Sequence, residues 1–349
     1  MARGITGILA FIIAIIAIFT GCADHAYLAP SPETPIEGQP APEPAPRPGS
    51  QDIVFAISRD ADDILREAAE YFCGEYTRLS GGSAQIMDAI APDTDLLAGR
   101  AQVAFLNKKR QYEFNELLMA TSTPFLYSSY QNFALSTGAG ETTRLLGASL
   151  REQSGLVPLG AFYQGALHII TDFPVSGYQQ LESVTFAVSD DSEVRGVVER
   201  LNAVTITADT DGERLALYME GEVSAAEVSL KYAASAAEFE KPSYITESYH
   251  NLIPVWLIAE EDFYEGLGDE VRAELMETVA VLNYMIDSAC LSAEAAAKEA
   301  LIRTGNIVLS NEFASVRNRV FNTAVPLSEE AGVQQKLARD LITAIRQIG

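Results

Sequence analysis

Hydrophobic residues recur along this chain in two alternating rhythms. Residues 52–58 form a short apolar run with the alternation of a strand, and residues 60–79 follow with Ile64, Leu65, Ala68, Ala69 and Phe72 spaced as one helix face, closed by Gly81-Gly82. A strand at 84–87, a helical turn at 95–99 and a strand at 102–106 extend the series to β-α-β-α-β. That order implies a parallel sheet with helices on both faces. The alternation resumes with strands at 156–163 and 167–171, a strand at 184–188, a helix at 191–201, a strand at 203–207 and a helix at 212–219. Two such units predict two α/β lobes facing a cleft. Residues 267–303 predict one long helix or two abutting ones, long enough to strap two lobes together. Ser328 predicts the cap of a final helix, with Glu329 and Glu330 against the positive end of its dipole.

The first fifty residues follow a different pattern. Arg3 precedes an apolar run over 8–19, and small residues lead to Cys22, a secretory signal too short to span a bilayer. Phe19-Thr20-Gly21-Cys22 resembles the lipobox of bacterial lipoproteins, which implies a signal peptide over 1–21, a lipidated Cys22 and an anchor on the bacterial membrane, in the periplasm or on the outer cell surface. A plain secretory signal or an uncleaved anchor would deliver the chain to the same side of the membrane. Residues 30–50 hold eight prolines, so 22–50 is expected to be an extended tether rather than part of a core. At roughly 3 Å per residue, the proline-rich stretch 30–50 reaches about 60 Å.

The remaining 300 or so residues suffice for two cores. A formal charge of −24 disfavours nucleic acid and anionic lipid as partners. Cys73 and Cys290 lie far apart, matching neither a metal set nor a redox pair, although the compartment permits a disulfide between them. Beyond the tether only His168 and His250 are present, and no nucleophile elbow, Walker loop, dinucleotide fingerprint or His-Glu-x-x-His occurs. An enzyme is not expected, nor a cofactor. Thr137-Gly138-Ala139-Gly140 precedes Glu141 and is an ordinary loop. Asp190, Asp191 and Glu193 suit a helix N-terminus. Asp209-Thr210-Asp211-Gly212 has part of a calcium loop, but Thr207 and Tyr218 fall where its first and twelfth carboxylates belong. His250, in Ser248-Tyr249-His250-Asn251, is expected in a turn before a strand, in a structural role.

Four segments in order carry a family resemblance: Leu96-Leu97-Ala98-Gly99 before the strand at 102–106; Thr123-Pro124-Phe125-Leu126-Tyr127; Gly221-Glu222-Val223-Ser224-Ala225-Ala226-Glu227; and His250 before a strand at 253–258 and then 263–267. Over nearly all of 52–348 the chain resembles the solute-binding proteins of tripartite ATP-independent periplasmic (TRAP) transporters, with Ser224 replacing the family's Asp. The resemblance implies an α/β, two-lobe periplasmic-binding-protein-like fold of class II type, with crossing hinge strands and a long C-terminal hinge-spanning helix. Lobe I would take 51–158, 247–286 and 327–349, and lobe II 159–246 and 287–326. It also implies capture of a small organic solute in the cleft and delivery to TRAP permease membrane subunits.

The departures bear on the ligand. Positions where carboxylate-binding members carry arginines read Leu167 and Ala187 here, and a polar family position reads Val228. Without such partners a buried carboxylate is disfavoured, so a neutral or apolar solute is expected. The expected pocket walls are Phe125, Tyr127, Phe162, Tyr163, Leu167, Ala187 and Val228, with Gln164, His168 and Glu227 as hydrogen-bonding groups. A ligand sensor or a structural surface lipoprotein with the same fold is the alternative.

Overall fold

The computed structural model describes residues 47, 49–106, 115–127, 129–137, 141–189, 192–236, 243–305, 307–310, 340–343 and 345. The signal, Cys22, nearly all of the tether, the small-residue loop at 138–140, Asp190, Asp191 and the start of the helix expected from Ser328 lie outside them; residues 340–343 and 345 are helical, with Leu341 and Ile345 buried in the first core.

The first lobe contains β1 (Ile53–Ser58), α1 (Asp63–Ser80), β2 (Ala84–Ala89), α2 (Pro92–Leu97), β3 (Val103–Leu106), α3 (Glu116–Ala120), α4 (Tyr130–Thr137) and α5 (Glu141–Ser154). Helix α1 starts where Asp62 accepts the Leu65 N–H at 3.0 Å, and it ends at Gly81, whose φ of +71° is a left-handed cap. Strand β4 (Leu156–Thr171) crosses to the second lobe, which adds β5 (Thr185–Val188), α6 (Ser192–Arg200), β6 (Val204–Thr207), α7 (Asp211–Glu220), β7 (Ala225–Ser229) and α8 (Leu230–Ala236). Strand β8 (Ser243–Glu260) crosses back to α9 (Glu261–Gly266), α10 (Asp269–Arg303) runs across both lobes, and β9 (Ile307–Ser310) joins the second.

The strand order is β2-β1-β3-β8-β4-β7-β5-β6, with β9 on β8. Strand β1 is parallel to both its neighbours, β5 is parallel to both of its own, and the β3–β8, β4–β8 and β4–β7 pairs are antiparallel. Each lobe therefore repeats one plan. In the first, β2-β1-β3 is followed by the incoming β8 and then β4; in the second, β6-β5-β7 is followed by the incoming β4 and then β8.

One apolar core joins Phe55, Phe72, Phe105, Phe162 and Trp256 to α10 from Val271 to Cys290. The second lobe packs on both faces of its sheet, with Phe125, Ile169, Phe186 and Val188 on one side and Ile170, Ala187, Val228, Ala297 and Leu301 on the other. Because α10 belongs to the first cluster at its start and to the last at its end, it spans the hinge.

Two expectations are corrected and three open readings are resolved. The strands at 156–163 and 167–171 are one strand interrupted by a bulge, and His250 lies inside an 18-residue strand rather than in a turn before one. Of the two readings of 267–303 the single helix holds, as the 35-residue Asp269–Arg303 after a separate short helix at Glu261–Gly266. Cys73 and Cys290 are buried free thiols. Thr210 and Glu213 make a capping box and Asp211 bonds Arg214 and Ser229, so the calcium-like segment is a helix start. Among the described residues no helix is long and apolar enough to cross a membrane.

Candidate functional site at the strand crossing

The β4–β8 ladder shifts register three times, once near its start between Pro158 and Gly160 and twice where the strands pass between the lobes. Between the pairs Tyr163–Pro254 and Ala166–Leu252, β4 carries two residues against one of β8, and Gly165 takes a φ of +130° that side chains rarely adopt. Between Leu167–Asn251 and Ile169–Thr246 the excess is on β8, where residues 247–250 bow out opposite His168. Tyr249, in that bow, has a φ of +46°.

A polar chain fixes the bow. The Glu227 carboxylate on β7 meets His250 Nε2 at 2.8 Å with one oxygen and accepts the Ser189 N–H at 2.7 Å with the other, while His250 Nδ1 lies 2.6 Å from Ser248 Oγ. All of Glu227 is buried. Burial alone would push its pKa up, but the hydrogen bond and attraction to His250, Arg214 nearby and the Ser189 N–H hold it down at about 2, so it is ionised. Arg214 on α7 is itself buried and donates to the carbonyls of Glu227, Ala208 and Asp209. The Phe125 N–H, in a turn with φ of +58°, donates to the His250 carbonyl at 2.7 Å. Ser, His and carboxylate in series also occur in nucleophilic relays, but here Ser248 is buried in the bow and braces it.

The other break is filled from α10. Asp287 accepts the Tyr163 N–H at 2.7 Å and the Tyr130 hydroxyl at 2.8 Å. Glu294, two turns on, accepts the Ala166 N–H at 2.9 Å and the Tyr163 hydroxyl at 2.8 Å. Burial pushes Asp287 up to about 6 against the lowering effect of those donors, and it raises Glu294 as well. Lys298 reaches Glu247 at 2.6 Å. His168 is fully buried, edge-on to Tyr249 at 4.8 Å between centroids, with neither ring nitrogen hydrogen-bonded among the described residues. Desolvation, with His250 and Lys298 nearby, lowers its pKa to about 3.

Of the expected site residues, the wall residue Phe125 and the hydrogen-bonding Glu227 meet around His250. Tyr163, Gln164, Leu167 and His168 follow one another through the β4 bulge, with Gln164 half-buried and its carbonyl 3.4 Å from Lys231 Nζ. Leu167 pairs with Ser229 and His168 with Val228, so the two project from opposite faces of the sheet. Phe162 and Tyr127 are in the first core, Tyr127 edge-on to Phe133. Ala187 and Val228 are fully buried on the sheet face turned toward α10, away from Phe125. Sequence reasoning did not anticipate Ser189, Arg214, Ser248, Asp287 or Glu294. For the last two a signal existed: carboxylates seven residues apart interrupt the apolar stripe of α10.

Among curated proteins none matches this chain. Solved structures match it in fold. A TRAP periplasmic solute-binding protein from Rhodobacter sphaeroides, apo and open, is 14% identical with a TM-score of 0.72 over 85% of this chain and 97% of its own. Another, from Escherichia fergusonii, also apo and open, is 17% identical with a TM-score of 0.70 over 86% and 100%. A third, from Roseobacter denitrificans with bound β-D-glucuronate, is 18% identical with a TM-score of 0.65 over 85% and 99%. These likenesses establish the two-lobe periplasmic-binding-protein fold. The model for bacterial extracellular solute-binding protein, family 7, matches residues 60–328, most of the chain, and the protein therefore belongs to that family, the TRAP solute-binding proteins.

Proposed function

We propose that this protein is an extracytoplasmic lipoprotein, anchored through Cys22, that captures a small organic solute between its lobes and delivers it to a TRAP-type permease. Membership of the family over residues 60–328 supports the capture and delivery, and the lipobox-like Phe19-Thr20-Gly21-Cys22 supports the anchor. The lobes are divided at 51–158, 247–286 and 327–349 against 159–246 and 287–326, and the tether gives the anchored domain reach to its membrane partner.

The solute is neutral or apolar. Similar solved proteins hold β-D-glucuronate, galactonate, succinate and sn-glycerol-3-phosphate, all anions. Leu167 supplies no cation for such a group, Ala187 and Val228 are buried on the face toward α10, and the ionised Glu227 is already engaged by His250 with Arg214 nearby.

Thermal unfolding of the mature chain against a panel pairing organic acids with neutral and apolar analogues tests both parts. A solute at about 100 times its dissociation constant adds about 2.7 kcal/mol, which moves the midpoint by several degrees. Stabilisation by neutral compounds alone is expected. Stabilisation by acids overturns the ligand class, and no response to any compound shifts weight to a sensing or structural role for the same fold.

A further inference from the structure

We propose that Asp287 and Glu294 are positioning residues that clamp β4 to α10, so that lobe closure bends β8 at residues 247–250 and leaves β4 rigid. The inference rests on the solute-capture reading, because only a protein that closes needs a hinge.

Both crossing strands are bulged, and a bulge removes the ladder hydrogen bonds that resist bending. In β4 those bonds are replaced. The Tyr163 and Ala166 N–H groups on either side of the bulge donate to Asp287 and Glu294, the Tyr163 hydroxyl donates to Glu294, and Asn283 donates to the Ala161 carbonyl at 3.0 Å. Residues 283, 287 and 294 are spaced four and seven apart, which puts them on one side of the helix. Hydrogen bonds to carboxylates are among the stronger kinds, and these are buried. Bending β4 at 163–166 would break several of them together. Tyr130 extends the clamp, since its hydroxyl ties Asp287 to α4 in the first lobe.

Strand β8 is held differently. Its bow is tied to β7 through the His250 ring, to the Phe125 turn through the His250 carbonyl, to β4 by the Tyr249–His168 ring contact and to itself through Ser248. Toward α10 it offers the Lys298–Glu247 pair, whose lysine side chain is 39% exposed on a long flexible stem, rather than buried carboxylates bonded to its own backbone. Tyr249, with positive φ and partial exposure, sits in the same four residues. Hinges concentrate large backbone changes in a few positions of this kind.

Hydrogen exchange of the full chain, resolved by peptide, reads the clamp without any ligand. Residues 160–167 should exchange at least tenfold more slowly than 246–251. In the Asp287→Ala/Glu294→Ala variant 160–167 should lose that advantage, and spin labels at Glu67→Cys in α1 and Ala216→Cys in α7 should report a broader interlobe distance in a Cys22→Ser background. The buried thiols of Cys73 and Cys290, raised by desolvation to about 12 and 11, stay unlabelled. Asp287→Asn/Glu294→Gln keeps an acceptor for each N–H and lets each tyrosine hydroxyl reverse, so it should behave as wild type. If the alanine pair does not fold, the wild-type exchange pattern and the amide variant decide. Equal exchange of the two segments in the wild type, or an alanine variant that folds with an unchanged distance distribution, overturns the clamp. Lobes whose distance never responds to a stabilising solute would instead count against capture by closure, whatever the exchange pattern.

Discussion

The two crossing strands face the same defect, a broken ladder between the lobes, and they meet it with different chemistry. At the β4 break the carboxylates of Asp287 and Glu294 accept from backbone amides and tyrosine hydroxyls, all neutral donors. At the β8 break the carboxylate of Glu227 faces His250, with Arg214 close behind. Burial acts alike on both, yet Asp287 rises to about 6 and Glu227 falls to about 2. What separates them is whether a cation-forming group stands beside the carboxylate, and the two breaks should answer differently to charge removal and to pH.

The largest expected effect adds a charge with no partner. Ala187→Arg would put a guanidinium among Ile170, Leu215, Val228 and Ala297, an apolar cluster, and should cost about 4 kcal/mol or more or prevent folding. Binding of acids by this variant would show that position 187 faces the cleft after all. Next, Glu227→Ala strands His250 and the Ser189 N–H and should cost about 3–5 kcal/mol in urea unfolding. Glu227→Gln keeps an acceptor for Ser189 and a donor for His250 but removes the charge, and should cost about 2–3 kcal/mol, less than the alanine. A cost of only about 1 kcal/mol would mean that the hydrogen bonds, not the charge, hold the bow.

The pH dependence should have opposite signs at the two breaks. Asp287 binds its proton more tightly folded than unfolded, so its contribution to stability is full below 3.8 and is lost as the pH rises to about 6, by up to about 3 kcal/mol. Glu227 binds its proton less tightly when folded, so its contribution is full above 4.5 and is lost as the pH falls toward 2, by a similar amount. Subtracting the Asp287→Asn profile from the wild-type profile should leave a falling curve between pH 4 and 6. A flat difference would place Asp287 in contact with water or an unseen cation.

Much of the scaffold could be read from periodicity. The face Ile64, Leu65, Ala68, Ala69 and Phe72, closed by Gly81, became α1, and the apolar stripe after Leu267 became α10. Periodicity failed at the crossing because bulges carry the residues of turns: Gln164-Gly165 split β4 into two expected strands, and Ser248-Tyr249-His250-Asn251 suggested a turn where β8 runs on. The site was harder still. Glu227 and His250 stand 23 residues apart in sequence, and only the adjacency of β7, β4 and β8 brings them together. Ala187 matched a family position by spacing, but in a strand the facing side follows from register, which a single sequence does not fix.

His168 offers the smallest and most discriminating test of the same contrast, because it is a titratable group beside the β8 bow with no hydrogen-bond partner among the described residues. Folded, it stays neutral down to about pH 3; unfolded, it protonates near 6.5, so its contribution to stability is full above 6.5 and is lost as the pH falls toward 3. His168→Leu should remove that acid sensitivity. At pH 7 the substitution should also stabilise the protein by about 1 kcal/mol, since it exchanges two unbonded nitrogens for apolar surface of similar size. A loss of more than about 1 kcal/mol would mean that a bound water or solute satisfies those nitrogens, and the imidazole would then belong with Glu227 among the bonded groups of the crossing.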